Sequence, residues 1–160
     1  MMNINIICMG KLKEAYLRDA CAEYSKRLSA FCRLKITELT PCRLPENPNR
    51  AQIDAALKEE AERIDSCIGR GDYVISMCIE GRMLSSEELA AELSARALAG
   101  DSTVDFIIGG SHGLDRSIKQ KSKLRMSMSP MTFPHQLARI MLLEQIYRGF
   151  MINSGARYHK

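Results

Sequence analysis

Residues Tyr73–Ile79 read YVISMCI, an unbroken apolar run of strand length. A strand with one wet face alternates apolar and polar side chains, and one covered on both faces does not. This run therefore predicts a central strand of a parallel sheet. Val104–Ile108 reads as another buried strand, closing on Gly109 and Gly110. Working outward, Ile4, Ile6, Ile7 and Cys8 form a short strand ending at Gly10. Leu34 and Ile36, alternating with Arg33, Lys35 and Thr37, form another, and Lys123–Met128 a last one. Between the strands, apolar residues recur every three or four positions. Leu17, Cys21, Tyr24 and Leu28 mark a helix from about Lys13 to Leu28. Ile53, Leu57, Ala61, Ile64 and Ile68 mark a second, stopped by Gly69 and Gly71. Ser85 and Glu88 make a capping box for a third, carrying Leu89, Leu93 and Ala97 with Gly100 beyond its end. A short basic helix spans about Asp115 to Lys121. Five strands alternating with helices predict an α/β fold, a mostly parallel sheet with helices on both faces, in one domain over residues 1–160.

At 46% hydrophobic and 26% charged, the 160-residue chain has the composition of an ordinary globular protein, and its length allows a core without disulfides or metal. No basic segment precedes the short apolar run at the N-terminus, so neither a signal peptide nor a membrane span is expected, and the predicted location is cytoplasmic. Six cysteines in such a chain should be reduced. None of their spacings makes a CxxC or zinc pair, so no metal site is expected and they read as small apolar residues. Charge is unevenly distributed. From Asp115 onward there are nine basic residues against two acidic ones, a surplus of seven, while the first 114 residues carry fourteen basic and seventeen acidic side chains. A basic third beside a mildly acidic remainder suggests a polyanion such as RNA, or else a solvated lysine face.

Parallel sheets bind ligands at the carboxyl ends of their strands, so the candidate site is built from the segments after Met77, Ile108 and Met128. FIIGGSHGL (Phe106–Leu114) supplies a glycine turn whose GGxxG spacing is not the dinucleotide fingerprint, with His112 inside it. Pro41, Pro45, Pro48, Asn47 and Asn49 make a loop of about ten residues. MSMSPMTFPHQLARIMLLEQIYRGFMINSGARYHK (Met126–Lys160) then combines a strand end, a proline-punctuated loop, an apolar helix and a basic aromatic tail. Pro134 suits a first helical turn. From Leu137 to Ile152 the apolar residues spread around the whole cylinder, which predicts cover on several sides and contact with a second subunit. The tail's Arg157, Tyr158, His159 and Lys160 could bind phosphate, stack on a base and help move a proton, or be a frayed end. His135 could cap the helix or touch a ligand. There is no HExxH, P-loop, GxSxG or Cys/His nucleophile pattern.

FIIGGSHGL, LRMSMSPMTFPHQLARIMLLEQIYRGF and the YHK terminus, with GKLKEAY, EYSKRL and EGRMLSS upstream, resemble the bacterial 23S ribosomal RNA pseudouridine-N3 methyltransferases of the SPOUT class over nearly the full length. The resemblance implies a SPOUT-type fold with a C-terminal trefoil knot, S-adenosylmethionine as cofactor, and a homodimer with its active site near the subunit interface. The implied substrate is N3 of pseudouridine 1915 in 23S ribosomal RNA, on the assembled ribosome. Cofactor contacts fall on Met77, Gly109, Met128, Ser129, Pro130, Met131, Thr132 and Phe133. Two of these depart from the family pattern, since Met77 stands where leucine is expected and Pro130 lacks an NH. On this reading Tyr158, His159 and His135 position or accept the leaving proton, while Arg125, Arg139, Arg157 and Lys160 contact RNA phosphates. A non-enzymatic, ribosome-associated RNA-binding factor on the same frame is the alternative, and a small nucleotide or effector domain a third reading.

Overall fold

The structure, a computed structural model, describes residues 1–159. In chain order its elements are β1 (Asn3–Met9), α1 (Ala15–Leu28), β2 (Arg33–Leu39), α2 (Arg50–Asp65), β3 (Tyr73–Met83), α3 (Ser86–Ala99), β4 (Thr103–Ile108), α4 (Arg116–Lys121), β5 (Leu124–Ser127) and α5 (His135–Asn153). The strands form one parallel sheet in the order β2-β1-β4-β3-β5. The two largely apolar strands, β3 and β4, lie side by side within it, with both faces covered along most of their length. On one face Ile4, Ile6, Ile75, Val104 and Phe106 pack with Leu28 of α1, Leu89 and Leu93 of α3, and Leu142, Leu143 and Ile146 of α5. On the other, Ile7, Met9, Val74 and Ile107 pack with Ala61 and Ile64 of α2 and Ile118 of α4.

Local chemistry moves three boundaries from their expected places. Strand β3 does not stop at Ile79. Met126 of β5 pairs first with Met77 and again with Arg82, so residues 78–81 bulge from the sheet before the strand resumes to Met83. Gly81 makes the bulge possible, because a Cβ there would lie 2.7 Å from the Arg125 carbonyl oxygen. Helix α2 begins at Arg50 because Asn49 and Gln52 form a reciprocal capping box. The Gln52 amide donates to Asn49 Oδ1 at 2.8 Å, and the Asn49 amide donates to Gln52 Oε1 at 2.9 Å. It ends at Asp65, ahead of the two glycines expected to stop it. Pro134 is the N-cap of α5, in an extended conformation, and the helix starts one residue later at His135.

The all-round apolar pattern of α5 is accounted for largely within the chain. Ile140, Leu142, Leu143 and Ile146 are buried, Tyr147 stacks edge-on against Phe31 at 6.0 Å, and Phe150 stacks on Phe31 at 5.9 Å. Burying each of these aliphatic side chains contributes roughly 1.5–3 kcal/mol, so the sheet, α1 and α3 together hold α5 strongly. Of its large apolar side chains, only Leu137, near the start of the helix, is exposed. Among the described residues no helix is long and apolar enough to cross a membrane, and no group of His, Cys, Asp and Glu is placed to hold a metal ion.

Candidate active site

A cleft of about 830 Å³ opens at the carboxyl ends of β3, β4 and β5. This volume lies in the usual range of small-ligand and cofactor pockets. Its floor is apolar and sulfur-rich, made of Met77, Ile108, Met126 and Met128. One wall is the turn from Gly109 to Leu114, and the opposite wall is the β5–α5 segment through Ser129, Met131, Thr132, Phe133, Pro134 and His135. The bulged residues Cys78, Ile79 and Glu80 make the third. The turn is close because Gly109 carries no side chain, and any Cβ there would overlap the Gly113 carbonyl. The Gly113 amide closes the turn by donating to the Gly110 carbonyl at 3.0 Å.

Every residue assigned to the cofactor lines this cleft except Pro130, which is exposed. Ser129 shapes the β5–α5 wall, its hydroxyl accepting from the Met131 amide at 3.0 Å. The Thr132 and Phe133 amides donate to no atom of the described chain, leaving two donors at the cleft edge. An apolar floor, a glycine turn permitting backbone approach and unpaired amides together suit a small ligand with an apolar body and a few hydrogen-bonding groups.

The expected proton-handling residues separate into two groups. His135 lines the cleft. Burial, then the Arg139 and Lys13 charges, hold its imidazolium below the usual histidine range, so the ring is neutral at neutral pH. Tyr158 and His159 lie at the other end of α5. The Tyr158 hydroxyl donates to Glu144 Oε1 at 3.3 Å, and Glu144 is nine residues from His135, about 13 Å along the helix axis. Burial, then the Glu144 carboxylate, push the Tyr158 phenol up, which keeps its proton on as a donor. His159 Nε2 sits 2.7 Å from Glu87 Oε1 and its Nδ1 3.3 Å from Arg148 Nη1. The neutral tautomer with hydrogen on Nε2 satisfies both contacts, donating to Glu87 and accepting from Arg148. Neither tail residue lines the cleft of its own chain.

The four assigned cations also part. Arg125 and Arg157 are exposed, and Lys160 lies outside the described residues. Arg139 must be reassigned. Only 2% exposed, it donates to Glu38 Oε2 at 2.7 Å and to the Gly10 carbonyl at 2.9 Å, which leaves no face for a phosphate. The glycine turn, the apolar floor and the His135 wall are continuous with one family pattern: a model described as "Predicted SPOUT methyltransferase" matches residues 2–159. The chain belongs to the SPOUT methyltransferase family. It is 51% identical over 159 residues, 99% of this chain and 100% of the relative, to a protein of Leuconostoc mesenteroides named ribosomal RNA large subunit methyltransferase H. It is 49% identical, with the same coverage, to one of that name from Streptococcus equi subsp. equi, and 48% to one from Leuconostoc citreum.

Within this SPOUT chain, sequence reading missed Lys119 and the role of Glu80. They pair across the cleft, and the Lys119 hydrogen bond holds the Glu80 carboxyl below the usual carboxylate range. No periodicity joins residues 39 positions apart. Cys78 also lines the cleft, but burial pushes its thiol up, away from thiolate chemistry. All six cysteines are free.

Proposed function

We propose that this protein uses S-adenosylmethionine to methylate N3 of a pseudouridine in 23S ribosomal RNA, the position numbered 1915, on the assembled ribosome. The observation that carries this reading is the cleft at the three strand ends, where the glycine turn, the sulfur-rich floor and two unpaired amides meet a neutral histidine. The relatives' shared name supports ribosomal RNA of the large subunit as substrate. When bound, the cofactor supplies a methyl group already activated by its sulfonium charge, and the S–C electron pair stays with sulfur on transfer.

The chain's own residues then hold, align and deprotonate. Met77, Gly109, Met128, Ser129, Met131, Thr132 and Phe133 hold the cofactor, with Pro130 stiffening the loop. Alignment of this kind supplies roughly 7–11 kcal/mol. N3 loses its proton to His135 as its lone pair forms the new N–C bond, a base contribution of about two to four orders of magnitude. Tyr158 and His159, remote from the cleft of their own chain, serve the cleft of a second copy in a homodimer. Exposed Ile79, Met83, Met131 and Leu137 near the carboxyl edge support that contact. Arg125, Arg157 and Lys160 meet RNA phosphates. The same reading places the trefoil knot in the segment running from β4 through β5 to α5.

Ribosomes from a strain lacking this gene, incubated with the purified protein and methyl-labelled S-adenosylmethionine, should gain one methyl at one pseudouridine by mass mapping of 23S ribosomal RNA. Label on no ribosomal RNA would sink the proposal. An RNA-binding factor without catalysis would also give no heat with S-adenosylmethionine in calorimetry.

A further inference from the structure

Arg139 is among the largest fully buried side chains in the protein, and a cation is a costly residue to bury. Its one carboxylate partner, Glu38 of β2, has a side chain 33% exposed, and its Nε has no partner at all. A well-packed aliphatic side chain would serve stability as well, so the reason for a guanidinium lies elsewhere. Its neighbours point to one. Arg139 stands one helical turn from His135 on the same face of α5, and it binds the carbonyl of Gly10, the residue at which the chain leaves β1. The His135 ring lies against that turn, its Nε2 3.9 Å from where a Gly10 Cβ would stand. Next to it, Gln136 Oε1 accepts from the Lys13 amide at 3.0 Å. The first turn of α5, which forms one wall of the cleft, is thus fixed to the ends of β1 and β2 by Arg139 and Gln136 and by nothing else polar that the structure shows.

We propose that Arg139 is a positioning residue for methyl transfer: with Glu38 it locks the Gly10 turn against the start of α5, so that His135 offers a proton-accepting nitrogen to the cleft. This rests on the proposed role of His135 in N3 deprotonation. The charged and titratable groups around that ring are Arg139 behind it and Lys13 from the β1–α1 segment. Beyond Arg139 lie Glu38 of β2, Cys8 of β1 and Cys21 of α1. His112, Glu80 and Lys119 stand on the other cleft walls. The two charges that act on the ring are cations, and Glu38 is engaged by Arg139, so the ring is kept unprotonated and free to take a proton.

The test reads His135 directly. With three histidines in the chain, its ring can be assigned by comparison with His135→Gln and titrated by NMR in the full-length protein without RNA. Arg139→Met, nearly isosteric in its stem but uncharged, should raise the His135 midpoint by at least about half a pH unit. It should also move the acid limb of kcat upward by the same amount and lower kcat about tenfold at neutral pH. Arg139→Lys, which keeps the charge and loses the fork, should leave the midpoint in place while kcat falls. Should Arg139→Met not fold, Arg139→Gln carries the test with the same sign, because its neutral amide keeps a donor for the Gly10 carbonyl while removing the charge. A folded Arg139→Met protein with an unmoved His135 midpoint overturns the inference. Absence of methylation by the unaltered protein would instead defeat the proposed function.

Discussion

The two ends of the sheet each bury an ionisable side chain, and they resolve the same electrostatic problem in opposite ways. At the carboxyl end, Arg139 cannot release its proton, so it stays charged and is matched to Glu38 and a backbone carbonyl. At the amino end, Asp105 of β4 is fully buried between strands, with Asn5 Nδ2 donating to its Oδ1 at 2.7 Å and its Oδ2 unpartnered. A carboxylate can take up a proton, and burial, aided by the nearby Asp72 charge, pushes its pKa up to about 6. The difference follows from chemistry and has a functional side. The end that bears the cleft keeps a permanent charge and so a permanent field, whereas the far end adjusts its charge with pH.

The largest effect that would sharpen this contrast is at the cleft itself. Gly109→Ala forces a Cβ onto the Gly113 carbonyl, a backbone atom that cannot swing away, so the turn must open. Cofactor affinity in calorimetry should fall by about three orders of magnitude, ~4 kcal/mol, while the amino end and its titration are untouched. Retained affinity would mean that the turn is not a wall of the site.

Next in size is the asymmetry within the buried pair. Glu38→Gln leaves Arg139 charged, buried and without a counter-ion, and should cost about 3 kcal/mol in denaturant unfolding. Removing the arginine leaves only a half-exposed glutamate that water can reach, so Arg139→Met should cost less, about 1–2 kcal/mol. Equal costs would show that packing and not charge holds this end.

The strand pattern was legible in sequence because Tyr73–Ile79 and Val104–Ile108 lack alternation, and only a two-sided core produces that. The cleft's location followed from the same reading. The two buried charges were not legible, for a shared reason. Asp105 sits inside an apolar run, where its neighbours signal a core strand and give no sign of its partner on β1. Arg139 sits in a helix apolar on every side and was taken for a phosphate contact, because its partner Glu38 lies 101 residues away. The bulge at Cys78–Gly81 escaped likewise, since its cause is the passing backbone of β5. Local pattern reports whether a face is covered, whereas pairing across the sheet depends on topology.

Asp105 supplies a pH test of intermediate size. Its folded pKa lies above the ordinary carboxylate value, so the folded state binds the proton more tightly than the unfolded chain. That contribution is fully present below about pH 4 and is lost as pH rises toward about 6. Asp105→Asn keeps the shape and the contact with Asn5 but has nothing to titrate. Above pH 7 it should be more stable than the unaltered protein by up to about 2 kcal/mol, and below pH 4 that gain should vanish. A pH-independent difference between the two proteins would show that folding leaves the Asp105 pKa unshifted.

The smallest effect separates both buried charges from those on the surface. Lys121 of α4 pairs with Asp65 at the end of α2, and both side chains are about half exposed. Water already solvates each partner, so little desolvation cost is recovered by pairing, and ordering two flexible side chains offsets most of the Coulomb gain. Lys121→Gln should therefore change unfolding stability by less than about 0.5 kcal/mol. Raising the salt to ~1 M, where the screening length falls to about 3 Å, should erase even that. The cost of Glu38→Gln should survive the same salt, because mobile ions do not reach a guanidinium that is 2% exposed. If salt instead removed both differences alike, solvent would have access to Arg139, and the permanent field assigned to the cleft end would be lost with it.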